Sequence, residues 1–301
     1  MKKFLIVLVG PTAVGKTKAA ISVAQTLDAE IISADSRQFY HRLKIGTAAP
    51  TEDELKAVRH HFVGHLDLDD YYSASSFEHD VLQFLSTYHE TNPVALMVGG
   101  SGLYVDAVCN GIDRLPDPDE DLRRQLKEEL RTGGLPSLCE RLKILDPAYY
   151  EVVDLQNPNR ILRALEVCIQ TGRPFSSLRT NSPQKRDFEI IRVGLNRPRE
   201  ELVRIIHDRV DRMISDGLVE ETRGLLPFRG LNALNTVGYK EMFRYLDGGW
   251  TLEMAREKIK TNTRRYAKRQ MTWFSRQKDT KWFHPDDLDS LTAFLAEKIG
   301  R

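Results

Sequence analysis

The chain has 301 residues, 41% of them hydrophobic and 29% charged, which provides for one large core with a smaller appended unit. A formal net charge of +1 excludes a uniformly basic protein, so a polyanionic partner has to be sought in segments of the chain. Cys109, Cys139 and Cys168 are far apart and form no CxxC pair, which argues against a zinc module and a disulfide framework and for a reducing compartment.

Met1-Lys2-Lys3 followed by Phe4 to Val9 has the outline of a signal peptide, yet the apolar run is short and passes into Gly10-Pro11-Thr12 without a small-residue cleavage site. Lys3 to Val9 is therefore predicted as a buried parallel strand, with a helix following to about Leu27. A second strand is expected over Glu30 to Ala34. His60-His61-Phe62-Val63-Gly64-His65 looks like a metal cluster but lacks acidic or cysteine ligands at zinc spacing, so it reads as a structural loop. Ser76 to Glu90 reads as a helix with Phe77, Val81, Leu82 and Leu85 on one face, and Pro93 to Val98 as a buried strand before Gly99-Gly100.

From Asp113 the texture changes. Leu115-Pro116-Asp117-Pro118-Asp119 is a linker, and helical patterns run to about Arg179. Asp187 to Leu195 alternates like a strand, and the remainder reads as mostly helical. There are no internal repeats or low-complexity tracts, and no run approaches the ~20 apolar residues that span a bilayer. A cytoplasmic protein without membrane contact is expected.

Gly10-Pro11-Thr12-Ala13-Val14-Gly15-Lys16-Thr17 fits the pattern GxxxxGK followed by Ser or Thr, between a buried strand and a helix start. Glycines let the backbone curl so that its N–H groups and the helix N-terminus point at phosphate oxygens. Lys16 adds positive charge, and Thr17 is placed to coordinate Mg2+. The fold class is therefore α/β, a P-loop NTPase-like parallel sheet core over residues 1–113 and 187–301 with a helical insertion domain over 114–186. A nucleotide kinase adds an acidic residue at a further strand end, but Leu96-Met97-Val98-Gly99-Gly100 carries none. The carboxylate placed to face the loop is Asp35, at the carboxyl end of the second strand, which shifts the expectation toward chemistry on a nucleophile beside a diphosphate.

Together, Gly10 to Thr17, Asp35-Ser36-Arg37-Gln38-Phe39-Tyr40, Ile45-Gly46-Thr47, Gly99 to Tyr104, Asn159 to Glu166, Gly238-Tyr239-Lys240-Glu241 and Tyr266 to Phe274 resemble the bacterial tRNA dimethylallyltransferases. The resemblance implies transfer of a dimethylallyl group from dimethylallyl diphosphate to the exocyclic amine of the adenosine 3′ to the anticodon, with Mg2+ and release of diphosphate. Ala49 stands where the family often has lysine, and Ser101 where it has threonine. Asp35 is then the candidate general base, with Thr17 and Arg209 as further catalytic residues, Arg209 clamping the diphosphate. The matched positions implied to meet tRNA are Asp35, Ser36, Arg37, Gln38, Ser101, Arg123, Asn159, Arg160, Ile161, Leu162 and Arg163. Arg123 and Arg163 lie in the insertion, which would act as a clamp on the anticodon stem-loop.

Between Arg256 and Lys281 there are ten Lys or Arg against Glu257 and Asp279, with Tyr266, Trp273 and Phe274 interleaved. Such a helix neutralises backbone phosphates, and its aromatics suit stacking on unpaired bases of an anticodon loop. The alternative for this segment is a solvated helix whose aromatics face the core. Three rival functions remain: a P-loop kinase of a small metabolite, a prenyltransferase of free adenine nucleotides, and a non-catalytic RNA-binding module. The chain is expected to act as a monomer.

Overall fold

Phe4–Val9 is a β-strand whose six residues are all buried, as expected of a run with apolar residues on both faces. Alternation of side chains splits the strand between two cores: Leu5, Val7 and Val9 enter one, while Phe4, Ile6 and Leu8 enter the other. The computed structural model of the protein describes residues 2–113, 115–180 and 182–300. Residues 1, 114 and 301, which bound the expected core and insertion, lie outside them.

The chain divides into two compact units, Met1–Asn110 with Lys185–Arg301, and Gly111–Gln184. The larger begins with β1 (Phe4–Val9), α1 (Lys16–Leu27), β2 (Ile31–Ser33), α2 (Glu52–Ala57), β3 (His60–His61), α3 (Ala74–Tyr88), β4 (Val94–Gly99) and α4 (Gly102–Asn110). The smaller unit holds α5 (Glu120–Leu145), α6 (Pro147–Tyr150), α7 (Pro158–Thr171) and α8 (Phe175–Leu178). The larger unit resumes with β5 (Glu189–Leu195), α9 (Arg199–Ser215), α10 (Leu218–Gly224), α11 (Tyr239–Leu246), α12 (Leu252–Phe274), β6 (Lys281–Phe283) and α13 (Leu288–Ile299). Its sheet runs β3-β2-β4-β1-β5-β6, every pairing parallel. Thus the α/β class with a parallel sheet and a helical insertion is what the chain forms.

Two strands differ from the sequence expectation. His60–His61 is not a loop but a short edge strand pairing with β2, where His61 Nε2 meets Glu30 Oε2 at 2.5 Å. Lys281–Phe283 forms β6 beside β5 in a stretch expected to be helical. Both are too short to show a period of their own and are fixed by their neighbours. In the smaller unit, α5 is broken at Gly134, whose φ is +73°, just before Pro136. The fully buried Asp146 receives Tyr149 N at 3.0 Å, Ser176 N at 2.6 Å and Ser176 Oγ at 2.7 Å, tying α6 to α8.

Where the chain re-enters the core, Arg186 donates to Glu78 Oε1 at 2.5 Å and to the carbonyls of Ala107 and Val108 at 2.9 and 2.8 Å. Both charged side chains are almost wholly buried, so removing Arg186 takes an opposite charge from a buried carboxylate. Arg186→Ala should lower stability by about 3–5 kcal/mol in urea unfolding. An unchanged midpoint and slope would refute this.

Candidate functional site

Because β2, β4 and β1 are neighbours, the segments leaving their carboxyl ends lie side by side. After β1, the loop Gly10 to Thr17 turns into α1, whose N-terminus has no side-chain cap. Gly15 closes the loop at φ +107°, a region that L side chains rarely adopt. Lys16 Nζ reaches back to donate to Gly10 O at 3.0 Å and Pro11 O at 2.9 Å. Gly10, Pro11 and Val14 are buried and shape the loop from behind, whereas Thr12, Ala13, Gly15, Lys16 and Thr17 line a cavity of about 500 Å³.

The loop is braced from two sides. Gln270 of α12 accepts from Thr12 N at 2.8 Å and donates to Gly100 O at 2.9 Å, joining the ends of β1 and β4 through one buried amide. Arg197 Nε donates to Val14 O at 3.0 Å, while its guanidinium is held by Glu201 and by Asp286 at 2.7 Å. Neither brace was legible in sequence, since a glutamine among basic residues and an arginine after a strand carry no local signal of such distant partners.

Asp35 follows β2 and lines the same cavity, with Gln38, Arg209 and Arg212. Its Oδ1 accepts from Arg37 N at 3.1 Å and its carbonyl from Gln38 N at 3.0 Å, so a tight turn sets the carboxylate. Burial holds the Lys16 ammonium down at about 8, with Asp35 opposing that shift and Arg209 adding to it. Burial likewise lowers Arg209, against the pull of Asp35. Thr17 lines both this cavity and an adjoining one of about 830 Å³. A smaller cavity of about 70 Å³ brings Asp35 and Arg209 against Val210, Met213, Ile259 and Tyr266.

A further cavity of about 640 Å³, sharing Arg37 and Tyr266 with the smallest one, is lined by Ser36, Ser101, Arg269 and Trp273, among others. Ser101 Oγ accepts from Ser36 N at 2.9 Å and bonds Ser36 Oγ at 3.1 Å. Gln38 turns away from this face, its amide donating to Thr47 O and Ala48 O at 3.3 and 3.1 Å. The structure corrects the reading of the basic segment. Phe274 is 2% exposed and belongs to the core, so it is closed to stacking on a base. Trp273 donates to Asp106 Oδ2 at 2.8 Å. Lys260 is buried between Asp211 and Glu257 at 2.9 and 3.1 Å. The solvent-facing cations are Lys258, Arg264, Arg265, Lys268, Arg269, Arg276, Lys278 and Lys281.

In the smaller unit, Arg123 meets the buried Glu166 through two bonds of 2.5 and 2.7 Å. Arg163 Nη1 reaches the same carboxylate at 3.4 Å and Nη2 donates to Pro116 O at 2.7 Å. Ile161 and Leu162 are core residues of this unit, while Asn159 and Arg160 are exposed. The side chains of Ile161 and Leu162 therefore anchor α7, and its outward surface is left to Asn159 and Arg160.

The family model described as IPP transferase matches residues 38–277. The chain is 52% identical over 295 residues to tRNA dimethylallyltransferase 1 of Phocaeicola vulgatus, covering 98% of each protein. It is 51% identical to tRNA dimethylallyltransferase 2 of Parabacteroides distasonis, covering 98% of this chain and 99% of that one. Among solved structures, the full-length tRNA isopentenylpyrophosphate transferase of Bacillus halodurans superposes with TM-score 0.73 at 35% identity, covering 99% of this chain and 97% of that one. A eukaryotic dimethylallyltransferase acting on tRNA does so with TM-score 0.78 at 25% identity, covering 96% of this chain and 75% of that one.

A bound polyanion stabilises the Lys16 ammonium and so raises its pKa above the free value of about 8. The contribution of Lys16 to affinity for inorganic diphosphate is then complete below that pH and falls as pH rises through it, by up to about tenfold per unit. Calorimetric titration from pH 6.5 to 9.5 should show this decline in the ratio of wild-type to Lys16→Ala affinity, which cancels the ligand's own deprotonation. A flat ratio would contradict the role of Lys16.

Proposed function

The chain belongs to the IPP transferase family and is a tRNA dimethylallyltransferase, and from this premise we propose how its residues divide the work. The donor is dimethylallyl diphosphate and the acceptor the exocyclic amine of the adenosine 3′ to the anticodon. The observation that carries the assignment is that Lys16, Thr17, Asp35 and Arg209 line one cavity.

The diphosphate lies against the amides of the Gly10–Thr17 loop, between Lys16 and Arg209. The C5 tail fits along Val210, Met213 and Ile259 beside Asp35. The acceptor adenine enters from the Ser36, Ser101 and Tyr266 side, which requires that it leave its stack in the loop. An exocyclic amine is a weak nucleophile because its lone pair is delocalised into the ring. As the nitrogen bonds to the allylic carbon, its proton passes to the Asp35 carboxylate and the carbon–oxygen bond breaks with its electron pair going to diphosphate. Fixed positive groups on the leaving side lower the energy of that charge separation.

The hydroxyl of Thr17, at the helix start, is a hard oxygen donor of the kind Mg2+ takes. Thr17 would hold the ion, and Mg2+ bound there would spread the charge of the leaving group. Arg269 lines the acceptor-side cavity, and it and the other exposed cations of α12, Lys258, Arg264, Arg265 and Lys268, suit the tRNA backbone. Asn159, Arg160, Arg123 and Arg163 of the smaller unit are proposed as further tRNA contacts, the last two through groups also engaged by Glu166. All these groups lie on one chain, so a monomer suffices.

Asp35→Asn should reduce kcat by about 10² to 10⁴, with tRNA and diphosphate binding retained, and Arg209→Ala should chiefly raise the KM for the donor. Near wild-type turnover of Asp35→Asn would overturn the base assignment. Mass spectrometry of nucleosides after reaction should find the C5 gain on adenosine of an anticodon stem-loop. Prenylation of free AMP instead, or phosphoryl transfer from labelled ATP, would favour the rival enzymes.

A further inference from the structure

Glu221 lies on α10 and lines none of the cavities around the phosphate loop. Its carboxylate nevertheless sits in a ring of donors. Oε2 accepts from Lys44 N at 3.1 Å and Ile45 N at 2.8 Å, and Oε1 accepts from Gly46 N at 2.9 Å and Tyr239 Oη at 2.7 Å. Three successive backbone amides converging on one carboxylate fix the turn that carries them. Tyr239 is fully buried and packs its phenol end against that turn: a Cβ at position 46 would come within 2.4 Å of its ring, so Gly46 is required by close approach.

The turn held in this way ends in the carbonyls of Thr47 and Ala48, and these receive the site's side chains. Gln38 Nε2 donates to both, at 3.3 and 3.1 Å, and Arg209 Nη2 donates to Thr47 O at 3.4 Å. Ala48 has φ +45°, an unfavourable conformation for a residue with a Cβ, and such a conformation persists only where its surroundings dictate it. Thr47 Oγ1 adds a bond to Leu43 O at 2.6 Å, closing the turn on itself. A path of hydrogen bonds and rigid backbone thus runs from a carboxylate outside the site, through residues 44–48, to the Arg209 guanidinium.

We infer that Glu221 is a positioning residue for prenyl transfer: by anchoring the 44–48 turn it sets Arg209 against the donor. This rests on the reading of Arg209 as the diphosphate clamp. Removing the carboxylate releases the turn, and the effect appears in use of the donor rather than in affinity for tRNA. Glu221→Gln keeps a carbonyl oxygen that accepts two of the four donors, and the Tyr239 hydroxyl can reverse to accept from its amide, so this variant restores part of the loss.

The test is a double-mutant cycle of Glu221→Ala and Arg209→Ala, reading donor KM, kcat and tRNA affinity separately. Glu221→Ala should raise the donor KM about tenfold with unchanged tRNA affinity, Glu221→Gln should fall between it and wild type, and the double variant should be no worse than Arg209→Ala alone, as for residues acting through one group. Multiplying losses, or a wild-type donor KM in Glu221→Ala, would overturn this inference alone. A wild-type donor KM in Arg209→Ala would instead overturn the clamp reading, and this inference with it. Should Glu221→Ala fail to fold, Glu221→Gln and Tyr239→Phe read the same quantity: both should raise the donor KM, and wild-type values in both would refute the role.

Discussion

The spacing of parallel strands governs what this site can do. The phosphate loop leaves β1 and Asp35 leaves β2, and the two strands are separated by β4. At about 4.8 Å per strand their ends stand roughly 10 Å apart, wide enough for an anion and a reacting carbon between cradle and carboxylate. The intervening strand ends in Gly99 and Gly100, which bring no side chain into the gap. Gln270 fills that place, joining Thr12 on one flank to Gly100 with a single buried amide. A shift of register in β1 or β4 would alter the separation between the loop and Asp35.

Local chemistry was what the sequence made legible. The loop Gly10 to Thr17 is a contiguous string whose shape lies in its own backbone, and the place of Asp35 follows from the apolar strand before it. The α/β class followed from the alternation of apolar strands with longer helices. What sequence concealed was non-local. Glu221 finds its partners about 175 residues earlier in the chain, at Lys44, Ile45 and Gly46, and no spacing rule connects α10 to that turn. Strands β3 and β6, of two and three residues, exist because β2 and β5 offer edges to pair with.

Charge counting along α12 misled for a related reason. A basic helix has a buried face as well as a solvated one, and the sequence assigns residues to faces only approximately. Lys260 is spent on Asp211 and Glu257 inside the protein, and Phe274 on the core. The exposed cations that remain are the ones able to release counterions from RNA. Arg123 and Arg163 show the same economy, since both converge on Glu166, a carboxylate 1% exposed that would be costly to bury alone.

The central claim is that one cavity holds the leaving diphosphate in the Gly10–Thr17 loop while Asp35 receives the acceptor's proton. The most direct test is a crystal structure with an anticodon stem-loop and an unreactive thiolodiphosphate analogue of the donor. The account expects the diphosphate on the loop between Lys16 and Arg209, with an Asp35 carboxylate oxygen about 3 Å from the exocyclic nitrogen of an extruded adenine. An Asp35 carboxylate turned away from that nitrogen, or a diphosphate bound elsewhere, would contradict it.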